Sequence, residues 1–176
     1  MRLFILCALA ALALTTGVWP EEAKSMMQLS SPAIQAGAKI PRKFAYKGEG
    51  DNVSPPLNWS GAPAGTKELA LLCEDPDAPR PTPWVHWVLY KIPAGTSSLA
   101  EDSVPKGAVE GKNDYGELGW GGPFPPKGDQ PHRYQFTVYA LDQAVRLAPG
   151  ATKGDMLKAL QGHILAQGVL EALYQR

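Results

Sequence analysis

Cysteine and histidine are scarce in this chain, and neither sign of charge is in excess. Its 176 positions hold two cysteines, three histidines, and seventeen basic residues against seventeen acidic ones. A formal net charge of zero gives no long-range field to draw in a polyanion, so nucleic acid and anionic membrane surfaces are not expected as partners. Cys7 lies in an N-terminal stretch read below as removable, which leaves Cys73 alone. One cysteine cannot close an internal disulfide, so the domain must be held by its core. Cys73 follows Leu69-Ala70-Leu71-Leu72, a buried-strand context in which a thiol acts as a small inert hydrophobe. Phosphate loops of the GxxxxGK[ST] type, GxSxG elbows, HExxH and CxxC are all missing. No metal and no cofactor is therefore expected, and no catalytic residue is assigned.

Long apolar runs are missing too, with one exception. Leu3 to Val18 is almost wholly apolar or small, is preceded by Met1-Arg2, and is ended by Glu21, Glu22 and Lys24. The run is shorter than the ~20 residues a membrane span needs. Residues 1–20 read as a secretory signal peptide, with small residues at Ala11 and Ala13 or at Thr15 and Gly17 as alternative cleavage sites. The protein is accordingly expected to be exported, periplasmic or secreted. Residues 25–176 are enough for one domain with a proper core.

Seventeen prolines and eighteen glycines punctuate this remainder. Apolar runs of strand length lie between them. Met26–Leu29, Leu69–Cys73, Val85–Ile92 and Arg133–Leu141 are the candidates, and Tyr134, Phe136, Val138 and Ala140 mark one face of the last. In the third, Val85, Trp87 and Leu89 alternate with His86, Val88, Tyr90 and Ile92. The fold class expected is mainly β, an antiparallel sandwich with short helices. Near the end, Met156, Leu157, Leu160, Ile164, Leu165, Leu170 and Leu173 recur at three-to-four spacing. The spacing predicts an amphipathic helix over 155–174, capped by Thr152 with Asp155, and broken near Gly168.

Candidate chemistry gathers at strand ends beside the long loops 48–65 and 116–131, where binding groups concentrate. His86 follows Pro83-Trp84-Val85, and His132 opens a strand after a proline-rich loop. Asp75 and Asp77 stand in Glu74-Asp75-Pro76-Asp77-Ala78-Pro79, a segment stiffened by its prolines. Two readings are open on these residues alone. They converge on one cavity, or the aspartates shape turns and the histidines are satisfied structural groups. His163, within the apolar C-terminal stretch, reads as structural.

Three segments carry a resemblance. Leu69-Ala-Leu-Leu-Cys-Glu-Asp-Pro-Asp-Ala-Pro79 followed by Trp84-Val-His86-Trp resembles the first signature block of the phosphatidylethanolamine-binding (PEBP, Raf-kinase-inhibitor-like) family. Gly119-Trp-Gly-Gly-Pro-Phe-Pro-Pro-Lys-Gly-Asp-Gln-Pro-His132-Arg133-Tyr134 resembles the second. Ser54-Pro-Pro-Leu-Asn-Trp59 and Gly162-His-Ile-Leu-Ala166 are similar to segments of the bacterial branch. The resemblance implies a PEBP-like sandwich with a pocket formed by Asp75, Asp77, Trp84, His86, Pro125, Pro126, His132 and Tyr134. It implies a small anionic ligand there: phosphate, acetate or a phosphoryl headgroup. It also implies a homodimer, and possible roles as regulator or inhibitor of another enzyme. Trp120 and Phe124 depart from the usual pattern and are expected to enlarge the side chains at the pocket mouth.

A carboxylate beside His86 or His132 is expected to orient the ring and to raise its pKa. The competing reading is a hydrolase using Asp75, Asp77, His86 and His132 as acid/base groups or metal ligands, against which stands the want of an activated nucleophile. A third is a structural or interaction protein acting as a homodimer.

Overall fold

A computed structural model describes residues 25–176; the signal-peptide reading of residues 1–20 falls outside them. The strands among the described residues are β1 (Ser25–Met26), β2 (Gln28–Ser30), β3 (Leu57–Ser60), β4 (Glu68–Asp75), β5 (Trp84–Pro93), β6 (Ser98–Leu99), β7 (Val109–Glu110), β8 (His132–Leu141) and β9 (Ile164–Tyr174), with a 3-10 turn at Arg42–Phe44 and one α-helix, α1 (Lys153–Leu160). Six strands form one sheet in the order β1-β9-β8-β4-β5-β7, and β2-β3-β6 form a second. All pairings are antiparallel except β1 with β9.

Two apolar layers explain the sequence pattern. The first lies between the sheets. It joins Leu29, Leu57, Trp59 and Leu99 of the small sheet to Leu69, Leu71, Cys73, Trp87, Leu89, Phe136 and Val138 of the large one. The second covers the outer face of the large sheet, where Ala70, Leu72, Val88 and Tyr90 meet Val145 and the α1 residues Met156 and Leu160. Strand β4 is thus buried on both faces, which is why Leu69–Cys73 reads as an unbroken apolar run instead of alternating. Cys73 is fully buried, and burial pushes its thiol pKa well up, as expected of an inert cysteine.

Strand β5 does not keep the simple alternation expected of it. Val85 faces the outer layer and Trp87 the inner one. Opposite β4, Cys73 pairs with Trp87 and Glu74 with Val85, so His86 is an extra residue with no partner across the ladder. A second irregularity lies between the pairs Leu69–Ile92 and Leu71–Leu89, and it brings Ile92 round to the inner layer. Each irregularity adds one residue and turns the following side chain to the other face.

The predicted C-terminal helix is correct at its start and too long. Thr152 and Asp155 form a reciprocal capping box at the head of α1. The helix ends at Leu160, the chain turns through Gly162 at φ +81°, and residues 164–174 continue as β9. Here Ala166, Leu170, Ala172 and Tyr174 point into the inner layer at a two-residue period. The intervening Leu165, Val169 and Leu173 are apolar as well, and this imitates helical spacing. His163 lies in the turn, not on a helix, and its Nδ1 is 2.9 Å from Asp142 Oδ1.

Candidate functional site

The site lies at the edge of the large sheet where β4 ends and both β5 and β8 begin. Antiparallel pairing of β4 with its two neighbours brings Asp75, Trp84, His86, His132 and Tyr134 to this edge from separate parts of the chain. Loop residues Ala78, Pro79, Tyr115, Phe124, Pro125 and Pro126 close the walls of a cavity of about 260 Å3. Seven of the eight residues expected of the pocket line it. Asp77 does not. It points sideways, accepts from Arg133 Nη2 at 2.7 Å and Nε at 2.9 Å, and borders a neighbouring shallow groove with Asp129 and Gln130. The Arg133 guanidinium holds the Asp77 carboxyl down at about 2.

Asp75 is buried at the floor, with both carboxylate oxygens engaged. Oδ1 accepts the Asp77 amide at 2.8 Å, which closes a turn stiffened by Pro76. Oδ2 is 2.7 Å from His132 Nδ1. A carboxylate can only accept, so Nδ1 of His132 carries the proton and the ring is fixed in orientation, as expected of an orienting aspartate. The other ring nitrogen faces Asp129 Oδ2 at 3.5 Å.

His86 is held differently. Its Nδ1 is 2.5 Å from the Gly121 carbonyl, while the Gly121 amide donates to the His86 carbonyl at 2.9 Å. The bulge in β5 gives this residue its aim. Burial drives the His86 pKa down to about 4, against the opposing pull of the Gly121 carbonyl and of Asp75. The raised value expected from a nearby carboxylate is therefore wrong for His86. Desolvation outweighs Coulombic attraction where the ring is 2 % exposed.

This depression makes the fold acid-sensitive. The unfolded chain takes up a proton near pH 6.5 and the folded one only near 4. Stability contributed by the neutral ring is fully present above pH 6.5 and falls as pH drops toward 4, by about 3 kcal/mol in all. Urea denaturation at pH 7 and pH 4 should show this loss in the wild type and a clearly smaller one in His86→Gln. Equal losses in both proteins would mean that His86 is not the group responsible.

Aromatic rings make most of the wall. Tyr46 stacks on Tyr115 at 3.9 Å, and Tyr115 meets Trp84 edge-on at 5.2 Å. Tyr115 is a lining residue that sequence reasoning missed. Its placement depends on Asn113, whose Oδ1 accepts the amides of Tyr115 and Glu117. Asn113 is buried between the exposed Lys112 and Asp114, and nothing in the sequence marks it. Phe124 stands at the mouth as expected, under the Arg176 guanidinium at 3.6 Å. Trp120 does not reach the mouth: it packs in the core against Trp87 and Phe136. Two buried polar atoms on lining residues, Tyr134 Oη and Trp84 Nε1, have no hydrogen-bond partner. Burial raises the Tyr134 pKa, and the charge of Asp75 adds to the effect, so this hydroxyl keeps its proton as a donor.

Residues 30–175 match the sequence profile of the family described as PBP, phosphatidylethanolamine-binding protein. The chain belongs to the phosphatidylethanolamine-binding protein family. PEBP relatives of prokaryotic origin share most of its length. A UPF0098 protein of Methanothermobacter thermautotrophicus is 45 % identical over 155 residues, 85 % of this chain and 99 % of that one. The crystal structure of E. coli YbcL, a member of the mammalian PEBP family, matches with a TM-score of 0.82 and 36 % identity over 86 % of this chain and 99 % of that one. A PEBP homologue from Chlamydia trachomatis matches at 0.79 and 40 %, again over 86 % and 99 %. The mainly β PEBP fold expected from the sequence is the fold found.

Proposed function

We propose that this PEBP-family protein is a binding protein whose cavity holds a small acidic group: phosphate, a phosphoryl headgroup or a carboxylate. The observation that carries the reading is the convergence of Asp75, His86, His132 and Tyr134 on one aromatic cavity, with the Tyr134 hydroxyl buried and unpartnered. A buried donor without a partner is costly unless a ligand completes it. About 260 Å3 suits a headgroup-sized ligand more than a whole lipid. The lining holds no serine, threonine, cysteine or lysine that could serve as a nucleophile, which favours binding over covalent catalysis. Among the described residues, no cluster of three or more histidine, cysteine, aspartate or glutamate side chains is arranged as a metal site. Export through residues 1–20, a homodimer, and regulation of another enzyme belong to the same proposal, with the cavity as the ligand-sensing part.

NMR titration of inorganic phosphate and phosphoethanolamine into the wild type, His86→Ala and His132→Ala tests it. Saturable shifts at Tyr134 and Tyr115 are expected in the wild type, with about tenfold weaker binding in His86→Ala, the scale of one lost hydrogen bond to a charged group, and in His132→Ala, which leaves the Asp75 carboxylate without its donor beside the anion. Equal affinity in all three proteins would reject the reading.

A further inference from the structure

The polarity of the cavity restricts which phosphoryl ligand fits. No lysine or arginine lines it. The three nearby guanidiniums are committed elsewhere: Arg133 to Asp77, Arg80 to Asp114 and the Trp84 face, and Arg176 to the Pro125 carbonyl and the Phe124 face. A phosphate dianion would thus enter an aromatic cavity with no free cation, beside the Asp75 carboxylate, at a large desolvation cost. His86 does not supply the charge. The Gly121 carbonyl can only accept, so His86 Nδ1 must hold the ring proton, and Nε2 is left as a bare acceptor. The ring is packed edge-on against Tyr115 at 5.8 Å and Tyr134 at 5.0 Å, and its bond to Gly121 favours this orientation. The cavity therefore offers a neutral acceptor, His86 Nε2, on a ring whose centroid lies 5.0 Å from that of Tyr134, which carries the unpartnered donor Oη.

We propose that the cavity selects a phosphate monoester in its singly protonated form, whose P–OH donates to His86 Nε2 while an unprotonated phosphoryl oxygen accepts from Tyr134. This rests on the reading above that the cavity is the ligand site. A phosphodiester, the headgroup of an intact phospholipid, carries the same single charge but no proton, and it leaves Nε2 unsatisfied. Protein groups that face His86 are Asp75 from β4, Asp114 and Tyr115 from the loop after β7, and Tyr134 from β8. His132 and Asp129 lie one step beyond Asp75, and Arg176 lies at the rim. Any of these can impose a pH dependence of its own, and the controls below separate that from the ligand's proton.

The test compares four conditions by calorimetry and NMR on the wild-type protein: methyl phosphate at pH 6 and at pH 8, with methyl sulfate and glycerophosphoethanolamine at pH 6. The second ionisation of a phosphate monoester falls near pH ~6. Methyl phosphate is expected to bind at pH 6 and to weaken by roughly fiftyfold at pH 8, as its singly protonated fraction falls from about one half to about one hundredth. Methyl sulfate, alike in size and charge but without a proton, and the diester are expected to bind at least about tenfold more weakly than methyl phosphate at pH 6. If methyl sulfate or the diester binds as well as methyl phosphate, or if methyl phosphate keeps its affinity at pH 8, the protonated-monoester proposal falls while the cavity reading stands. If no ligand shifts the Tyr134 and Tyr115 signals at either pH, both fall together.

Discussion

Replacing His132 with alanine should lower the free energy of unfolding by about 3 kcal/mol, the cost expected when a buried carboxylate loses its hydrogen-bond donor. Asp75 and His132 are 3 % and 5 % exposed, and their 2.7 Å contact is the bond that fixes the ring. Alanine leaves the second carboxylate oxygen of Asp75 buried without a donor. At this chain length such a loss corresponds to a drop in melting temperature of about 10 °C. His132→Gln, whose amide can still donate, should lose clearly less. A loss below about 1 kcal/mol in His132→Ala would show that the pair behaves like an exposed ion pair and does not hold the floor of the cavity.

Gly122→Ala should be nearly as damaging, through shape instead of charge. A methyl group at residue 122 would lie 2.1 Å from the Phe44 carbonyl oxygen and 2.6 Å from the Tyr46 amide nitrogen, both backbone atoms. Neither can yield without moving a segment of chain. The Gly122 amide donates to Asn52 Oδ1 at 2.8 Å, and its carbonyl accepts from Tyr115 Oη at 3.1 Å. The adjacent Gly121 carbonyl holds the His86 ring. Overpacking here should cost about 3 kcal/mol and displace both Tyr115 and His86. Denaturant unfolding and the Tyr115 and His86 NMR signals check this. Wild-type stability with unshifted signals would mean that the 119–122 loop is free to move and does not position the cavity.

The sequence was most readable where burial imposes a simple period or where residue chemistry is rare. Three strand candidates, Leu69–Cys73, Val85–Ile92 and Arg133–Leu141, coincide with strands of the structure, the fourth, Met26–Leu29, straddles β1 and β2 of different sheets, and the alternation of Tyr134, Phe136, Val138 and Ala140 is the inner face of β8. Only three histidines occur, so His86 and His132 could be weighed one by one, and the resemblance placed both in the pocket they line. Local pattern failed where two faces of a strand are both apolar. In β9 that ambiguity turned a strand into a predicted helix. Short strands β3, β6 and β7 went unread because two to four residues carry no period.

Bulges were beyond reach for a related reason. Nothing in Trp84-Val85-His86-Trp87 shows that His86 is the residue left out of the ladder, since that depends on register with β4. The roles of Asp75 and Asp77 were separable only by geometry. One faces the floor and the other pairs with Arg133, whose guanidinium is half-exposed beside it. The His86 pKa likewise required burial to be known, because the Coulombic and desolvation effects have opposite signs.

A crystal structure of the protein grown with phosphoethanolamine tests the central claim most directly. The account predicts the phosphoryl group inside the aromatic cavity, within hydrogen-bond reach of His86 Nε2 and Tyr134 Oη, with the Asp75–His132 contact intact. A phosphoryl group bound instead in the groove beside Asp77, Asp129 and Arg133, with the cavity unchanged, would contradict it.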